Sequence, residues 1–156
     1  MRLHLLAVGT RMPSWVEAGF QEFARRLPRE CSLHLKEIEP ARRSKNSEPQ
    51  QYKDEEAKRI DAALPKGARI VALDVLGAAW TTPELAQRVD YWLHNDHDVA
   101  LVIGGPDGLA PQWLAKAQER WSLSRLTFPH ALVRVMVAEQ IYRAWSILKN
   151  HPYHRE

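Results

Sequence analysis

The chain switches repeatedly between a period of about two and one of about 3.6 residues, and this sets the order of its elements. Arg2 to Val8 is mostly apolar and reads as a strand. Ser14-Trp15-Val16-Glu17 fits a capping box, with Ser14 as N-cap and Glu17 three residues on. The helix behind it places Val16, Phe20, Phe23 and Leu27 on one face, and Pro28 ends it. Cys31 to Ile38 alternates loosely, as a second strand does, and Pro40 to Pro49 is a polar, aperiodic surface loop. Gln50 to Leu64 predicts a charged helix with few apolar positions, covering one edge and exposed on most sides. Arg69 to Leu73 predicts a third strand that ends at Leu73-Asp74, in a loop carrying Gly77 and Trp80. Thr81-Thr82-Pro83-Glu84 opens a helix that turns Leu85, Val89, Trp92 and Leu93 inward. Val99 to Ile103 is apolar without alternation, the pattern of a strand buried on both faces. After it come a short helix from Pro111 to Gln118, a short strand at Trp121-Ser122-Leu123 and a long amphipathic helix from His130 to Leu148. Pro152 keeps the tail from extending that last helix.

Strands alternating with helices give an α/β fold with a mainly parallel sheet flanked by helices. The 156 residues suit one domain spanning 1–156, with no internal repeat. The lone cysteine, Cys31, excludes an internal disulfide and a cysteine-built zinc site, and is expected to be a small buried residue. Gly9, Pro13 and Glu17 interrupt the apolar start, which therefore reads as a strand rather than a signal peptide. No apolar run reaches membrane length, so a soluble, cytoplasmic protein without a membrane partner is expected. The net charge of +3 is modest, but Arg42, Arg43 and Lys45 cluster in one loop, and Arg134, Arg143 and Lys149 follow the last helix. Such runs are either a solvated face or a surface for a polyanion.

Ligands of open α/β sheets bind beyond the carboxyl ends of the strands. Two such ends are unusual here, Leu73-Asp74 and Ile103-Gly104. The second opens Gly104-Gly105-Pro106-Asp107-Gly108, where glycines permit a sharp turn and close approach to a ligand. The pattern is neither Gly-x-Gly-x-x-Gly nor a phosphate loop ending in Gly-Lys-Ser/Thr. Trp121 to His130 mixes polar and apolar residues in a way that suits a ligand-cradling loop or a plain connection. The tail packs His151, Tyr153, His154 and Arg155 into five residues. Two histidines around Pro152, with no carboxylate pair or cysteine beside them, are a poor ligand set, and no metal is expected. Aromatic and cationic side chains together can stack on bases and hold phosphates. No nucleophile–base–orienter set is evident, which suits a reaction whose cofactor carries the reactive group.

Five segments occur in order: Ile103-Gly104-Gly105-Pro106-Asp107-Gly108, Trp121 to Thr127, Pro129 to Arg134, Glu139 to Ala144 and Asn150 to His154. With Ala7-Val8-Gly9 they make the whole chain resemble the RlmH family, pseudouridine-N3 methyltransferases of large-subunit rRNA in the SPOUT superfamily. The resemblance implies a SPOUT-type α/β knot, in which the C-terminal part threads a trefoil knot. It implies a homodimer whose sites are each completed by the neighbouring subunit, the last helix being knot and interface together. It implies S-adenosylmethionine, bound mainly by backbone at Leu73, Gly104, Leu123, Ser124, Arg125, Leu126, Thr127 and Phe128. The implied substrate is pseudouridine 1915 in helix 69 of 23S rRNA, on the assembled ribosome.

Within that frame the tail is expected to close over the site, with His154 as general base and Tyr153 beside it. Arg143 and Arg134 are expected to hold the uracil carbonyls or the RNA backbone, with Arg155, Arg42, Arg43 and Lys45 as further RNA contacts. A route without a base, in which binding favours the ionised imide, stays open. So do methylation of tRNA by the same fold and a non-catalytic ribosome-binding module.

Overall fold

The computed structural model describes residues 1–155. Five parallel strands form one sheet: β1 (Arg2–Val8), β2 (Ser32–Ile38), β3 (Arg69–Ala78), β4 (Asp98–Ile103) and β5 (Glu119–Trp121), in the spatial order β2-β1-β4-β3-β5. Five helices cover it: α1 (Ser14–Ala24), α2 (Pro49–Ala63), α3 (Thr82–Asn95), α4 (Pro111–Leu114) and α5 (His130–Leu148). Helix α5 packs against α1 and α3, and their apolar faces meet one side of the sheet around Leu5, Leu101, Trp92 and Ile141. Ile60 and Trp113, from α2 and α4, cover the other side over Leu6, Val102 and Ala72. Strand β4 lies between β1 and β3, and its run Val99–Ile103 is buried throughout, which is why it lacks alternation.

Three local expectations need correction. Ser14 is the first residue of α1, not its cap; Pro13 holds the N-cap position and no side chain caps it. By contrast, Thr81 caps α3 as a capping box, its hydroxyl accepting from the Glu84 amide while Glu84 accepts from the Thr81 amide. Such a cap contributes about 1 kcal/mol. Strand β3 does not stop at Leu73-Asp74. Leu73 and Ala78 both pair with Trp121, so Asp74 to Gly77 form an irregular arch between them. The last strand lies at Glu119–Trp121, two residues earlier than the expected Trp121-Ser122-Leu123. Cys31 is fully buried beside β2, and burial pushes its thiol up to about 12. No helix among the described residues is long and apolar enough to cross a membrane.

Candidate functional site

In a parallel sheet all carboxyl ends lie along one edge. Strand β4 delivers the chain there to Gly104 and Gly105, both buried. Gly105 to Gly108 is a tight turn with proline second and glycine fourth, closed by the Gly108 amide donating to the Gly105 carbonyl at 2.9 Å. A Cβ at Gly104 would lie 2.8 Å from the Gly108 carbonyl carbon and 2.9 Å from Leu109 Cγ, so the fold of the turn requires glycine there. Facing it is the segment after β5. Ser122 Oγ donates to the Ser124 carbonyl and Ser124 Oγ accepts from the Leu126 amide, both at 3.0 Å, which curls the loop upon itself. The arch of β3 supplies Asp74 and Val75 as a third wall.

These walls enclose a cleft of about 230 Å³. Ile103, Leu109, Leu114, Leu123 and Val133 make it largely apolar, and Leu126 stands 69% exposed at its mouth. Of the residues expected to hold a cofactor, Leu73, Gly104, Leu123, Ser124, Leu126, Thr127 and Phe128 all line this cleft. Arg125 does not; its side chain is exposed outside it. His130, to which the sequence reading gave no role, lines it too. Its Nδ1 is buried without a hydrogen bond among the described residues, and burial, aided by the charge of Arg134, lowers its pKa. The available signal was its place as the first residue of α5, directly after the cradle loop.

The tail folds as a short 3-10 turn, Pro152–Arg155, against the far end of α5. Tyr153 packs edge-on to Tyr142, centroids 4.7 Å apart, and its hydroxyl donates to Glu139 Oε1 at 2.9 Å. Arg143 donates to the same oxygen from Nε at 2.9 Å and Nη2 at 2.6 Å, and lies 4.9 Å from the Tyr153 ring centre. The hydrogen bond to Glu139 raises the Arg143 pKa; burial, then Glu139, raises that of Tyr153. His154 Nδ1 is 3.3 Å from Ser146 Oγ, and Arg155 is exposed. Glu156 lies outside the described residues. His154, Arg143 and Tyr153 are thus one cluster, but not with the cleft. From His130 to Arg143 the helix advances about 20 Å at 1.5 Å per residue.

Arg134 corrects the expectation of an RNA contact. Its side chain is 1% exposed, donates to Glu37 at 2.6 Å and to the Gly9 carbonyl at 2.8 Å, and ties α5 to the ends of β1 and β2. A guanidinium with no accessible surface cannot reach a phosphate. Arg42 and Lys45 are exposed, whereas Arg43 is engaged with Asp107 at 2.5 Å and lies 4.8 Å over the Tyr52 ring.

The family model described as "Predicted SPOUT methyltransferase" matches residues 1–154. The chain is 54% identical over 156 residues to the protein named ribosomal RNA large subunit methyltransferase H of Hydrogenovibrio crunogenus, covering all of both chains. It is 56% identical over 155 residues to the protein of that name from Methylococcus capsulatus, covering 99% of this chain and all of the other. Among solved structures, a TrmH/SpoU tRNA modifying enzyme of A. aeolicus matches with a TM-score of 0.51 at 11% identity, over 96% of this chain and 77% of that one, a likeness of fold alone. A full-length match, relatives identical at more than half of their positions and a glycine-turn cleft at the ends of a parallel sheet agree: the chain belongs to the SPOUT methyltransferases and, within them, to the RlmH family.

Proposed function

We propose that this protein transfers a methyl group from S-adenosylmethionine to N3 of a pseudouridine in large-subunit rRNA, position 1915 of helix 69, on the assembled ribosome. The observation that carries the reading is the cleft itself, built by Gly104, Leu123 to Phe128 and Leu73 in a chain whose full-length relatives bear the name of rRNA methyltransferases. The cleft suits the donor chemically. Its apolar walls can flank a purine, and glycine backbone at Gly104, Gly105 and Gly108 forms part of its lining. The buried Nδ1 of His130, without a hydrogen bond among the described residues, offers one further polar contact beside the cleft. Gly104, Leu123, Ser124, Leu126, Thr127 and Phe128, together with Leu73 and the backbone of Arg125, would hold the donor.

S-adenosylmethionine supplies, when bound, a methyl group already activated on a sulfonium. What remains for the chain is to align the acceptor, exclude water and assist loss of the N3 proton. His154 takes that proton, with Nδ1 turned to Ser146 and Nε2 free of hydrogen bonds among the described residues. Arg143 stabilises the developing imide anion, and Tyr153, locked to Glu139, fixes the guanidinium in place. Since about 20 Å of helix separates this cluster from its own cleft, a second copy completes each site. Support comes from the apolar side chains left exposed on the cleft side, Val75 at 61%, Leu76 at 88%, Leu126 at 69% and Leu132 at 37%. The C-terminal trefoil knot belongs to the same proposal, since β5 sits outside β3 while α5 returns across the sheet to α1 and α3. Arg42, Lys45 and Arg155 are the exposed cations offered to rRNA, in the cytoplasm where ribosomes are found.

The test is mass mapping of rRNA from ribosomes of cells lacking the gene, before and after incubation with the purified protein and S-adenosylmethionine. One added methyl on that pseudouridine is expected. A methyl at another nucleotide, or none, would overturn the proposal.

A further inference from the structure

The glycine turn is braced from behind by groups that do not line the cleft. Glu56, on α2, is 3% exposed although it carries a carboxylate. Its Oε2 accepts from the Ala41 amide at 3.0 Å, and its Oε1 stands where a Cβ on Gly105 would be only 2.8 Å away. Two residues along the same loop, Arg43 pairs with Asp107 in the middle of the turn. Arg43 is itself fixed from beneath by the Tyr52 ring, and the Tyr52 hydroxyl donates to the Ser44 carbonyl at 2.8 Å. The loop after β2 is therefore tied to the turn at two points, and its remaining cations, Arg42 and Lys45, are left outside.

We propose that Arg43 and Asp107 form a clasp, backed by Glu56, that holds the Gly104–Gly108 turn in its donor-binding shape, making Arg43 and Asp107 positioning residues rather than RNA or donor contacts. The inference rests on the donor site proposed above. A turn rich in glycine loses more conformational freedom on ordering than other sequences do, so something must fix it. An ion pair between two partly exposed groups is worth little to overall stability. A small local preference still matters to a ligand that binds one shape of the turn, because affinity falls with the fraction of chains holding that shape. The same geometry divides the basic loop by role. Arg42 and Lys45 meet RNA, Arg43 transmits the loop's position to the donor cleft.

The experiment compares wild type with Asp107→Asn, Arg43→Ala, Arg43→Lys, the singles Arg43→Asp and Asp107→Arg, and the charge-swapped pair that combines those two. The readouts for each are calorimetric affinity for S-adenosylmethionine, kcat and KM for donor on ribosomes, KM for ribosomes at several salt concentrations, and hydrogen–deuterium exchange of the peptide covering Gly104 to Leu109. Asp107→Asn and Arg43→Ala should weaken donor binding and raise donor KM about fivefold, with kcat at saturating donor largely kept and faster exchange at the turn. Arg43→Lys should recover part of the affinity, and the swapped pair should bind better than either of its single components. Unchanged donor affinity and turn exchange in Asp107→Asn would overturn the clasp, as would a swapped pair no better than its singles. So would a loss in Arg43→Ala confined to ribosome KM and its salt dependence, which would make Arg43 an RNA contact. A wild-type protein that binds no donor would instead defeat the reading of the cleft, while exchange at the turn would still decide whether the clasp exists.

Discussion

If the cleft of one subunit is served by the tail of another, two inactive variants should rescue each other. The first variant is Gly104→Ala. Its new Cβ would stand 2.8 Å from the Gly108 carbonyl carbon, a backbone atom that cannot swing aside, so the floor of the cleft must shift. The second is Arg143→Ala, which removes the cation held by Glu139 over Tyr153. This ion pair is partly exposed, so its loss should cost the fold under about 1 kcal/mol, whereas losing a charge aimed at a developing anion typically costs about a hundredfold or more in rate. Each variant alone should therefore fold, dimerise and transfer little.

Mixing them at equal concentration, with subunit exchange, makes about half of the dimers mixed, and each mixed dimer holds one site with an intact cleft and an intact tail. The expected activity is about one quarter of wild type, far above either parent. The assay is transfer of labelled methyl from S-adenosylmethionine to ribosomes that lack the modification, with thermal melting to confirm that both parents fold. A mixture no more active than the mean of its parents would refute the argument. It would mean that tail and cleft act within one chain, and that the helix length separating them misleads.

Replacing Arg134 by Met should destabilise the protein by about 2 kcal/mol in urea unfolding, since the Gly9 carbonyl loses its buried donor, while Glu37→Gln should cost less because that side chain is 40% exposed. Neither change should weaken RNA binding beyond what unfolding explains. The His130 pKa is lowered in the folded state, so folding disfavours protonation there. Its stabilisation is whole above the ordinary value of 6.5 and is lost as pH falls through the lowered one, so the melting temperature should drop on acidification and drop less in His130→Asn. Arg42→Ala and Lys45→Ala should each reduce the slope of log affinity against log salt for rRNA by about 1, if each side chain neutralises one phosphate.

Where neighbours in sequence decide a feature, the sequence reading is close; where a distant residue decides it, local pattern misleads. Strand β4 and helices α3 and α5 were readable because an unbroken apolar run, a Thr-to-Glu cap and a 19-residue amphipathic stretch are local statements. Ser14 shows the limit even there, since the same cap spacing is present and yet the helix starts on Ser14 itself, with Pro13 at the cap position. Gly77 read as a loop marker, yet its lack of a side chain lets β3 pass β5, where a Cβ would meet the Arg120 carbonyl carbon at 2.7 Å. Arg134 reads in the sequence as an RNA contact, and Glu56 lies in a charged helix expected to be exposed on most sides. Their burial depends on Glu37, 97 residues away, and on a glycine turn that the helix pattern of α2 does not mention. The cleft was legible because strand ends and glycines are local, and the clasp behind it was not, because Arg43 and Asp107 meet only once the sheet has brought their loops together. The separation of the tail from the cleft is the intermediate case. The length of α5 is readable locally, but the tail stays at its far end only because Tyr153 packs on Tyr142 and donates to Glu139, contacts that no local pattern shows.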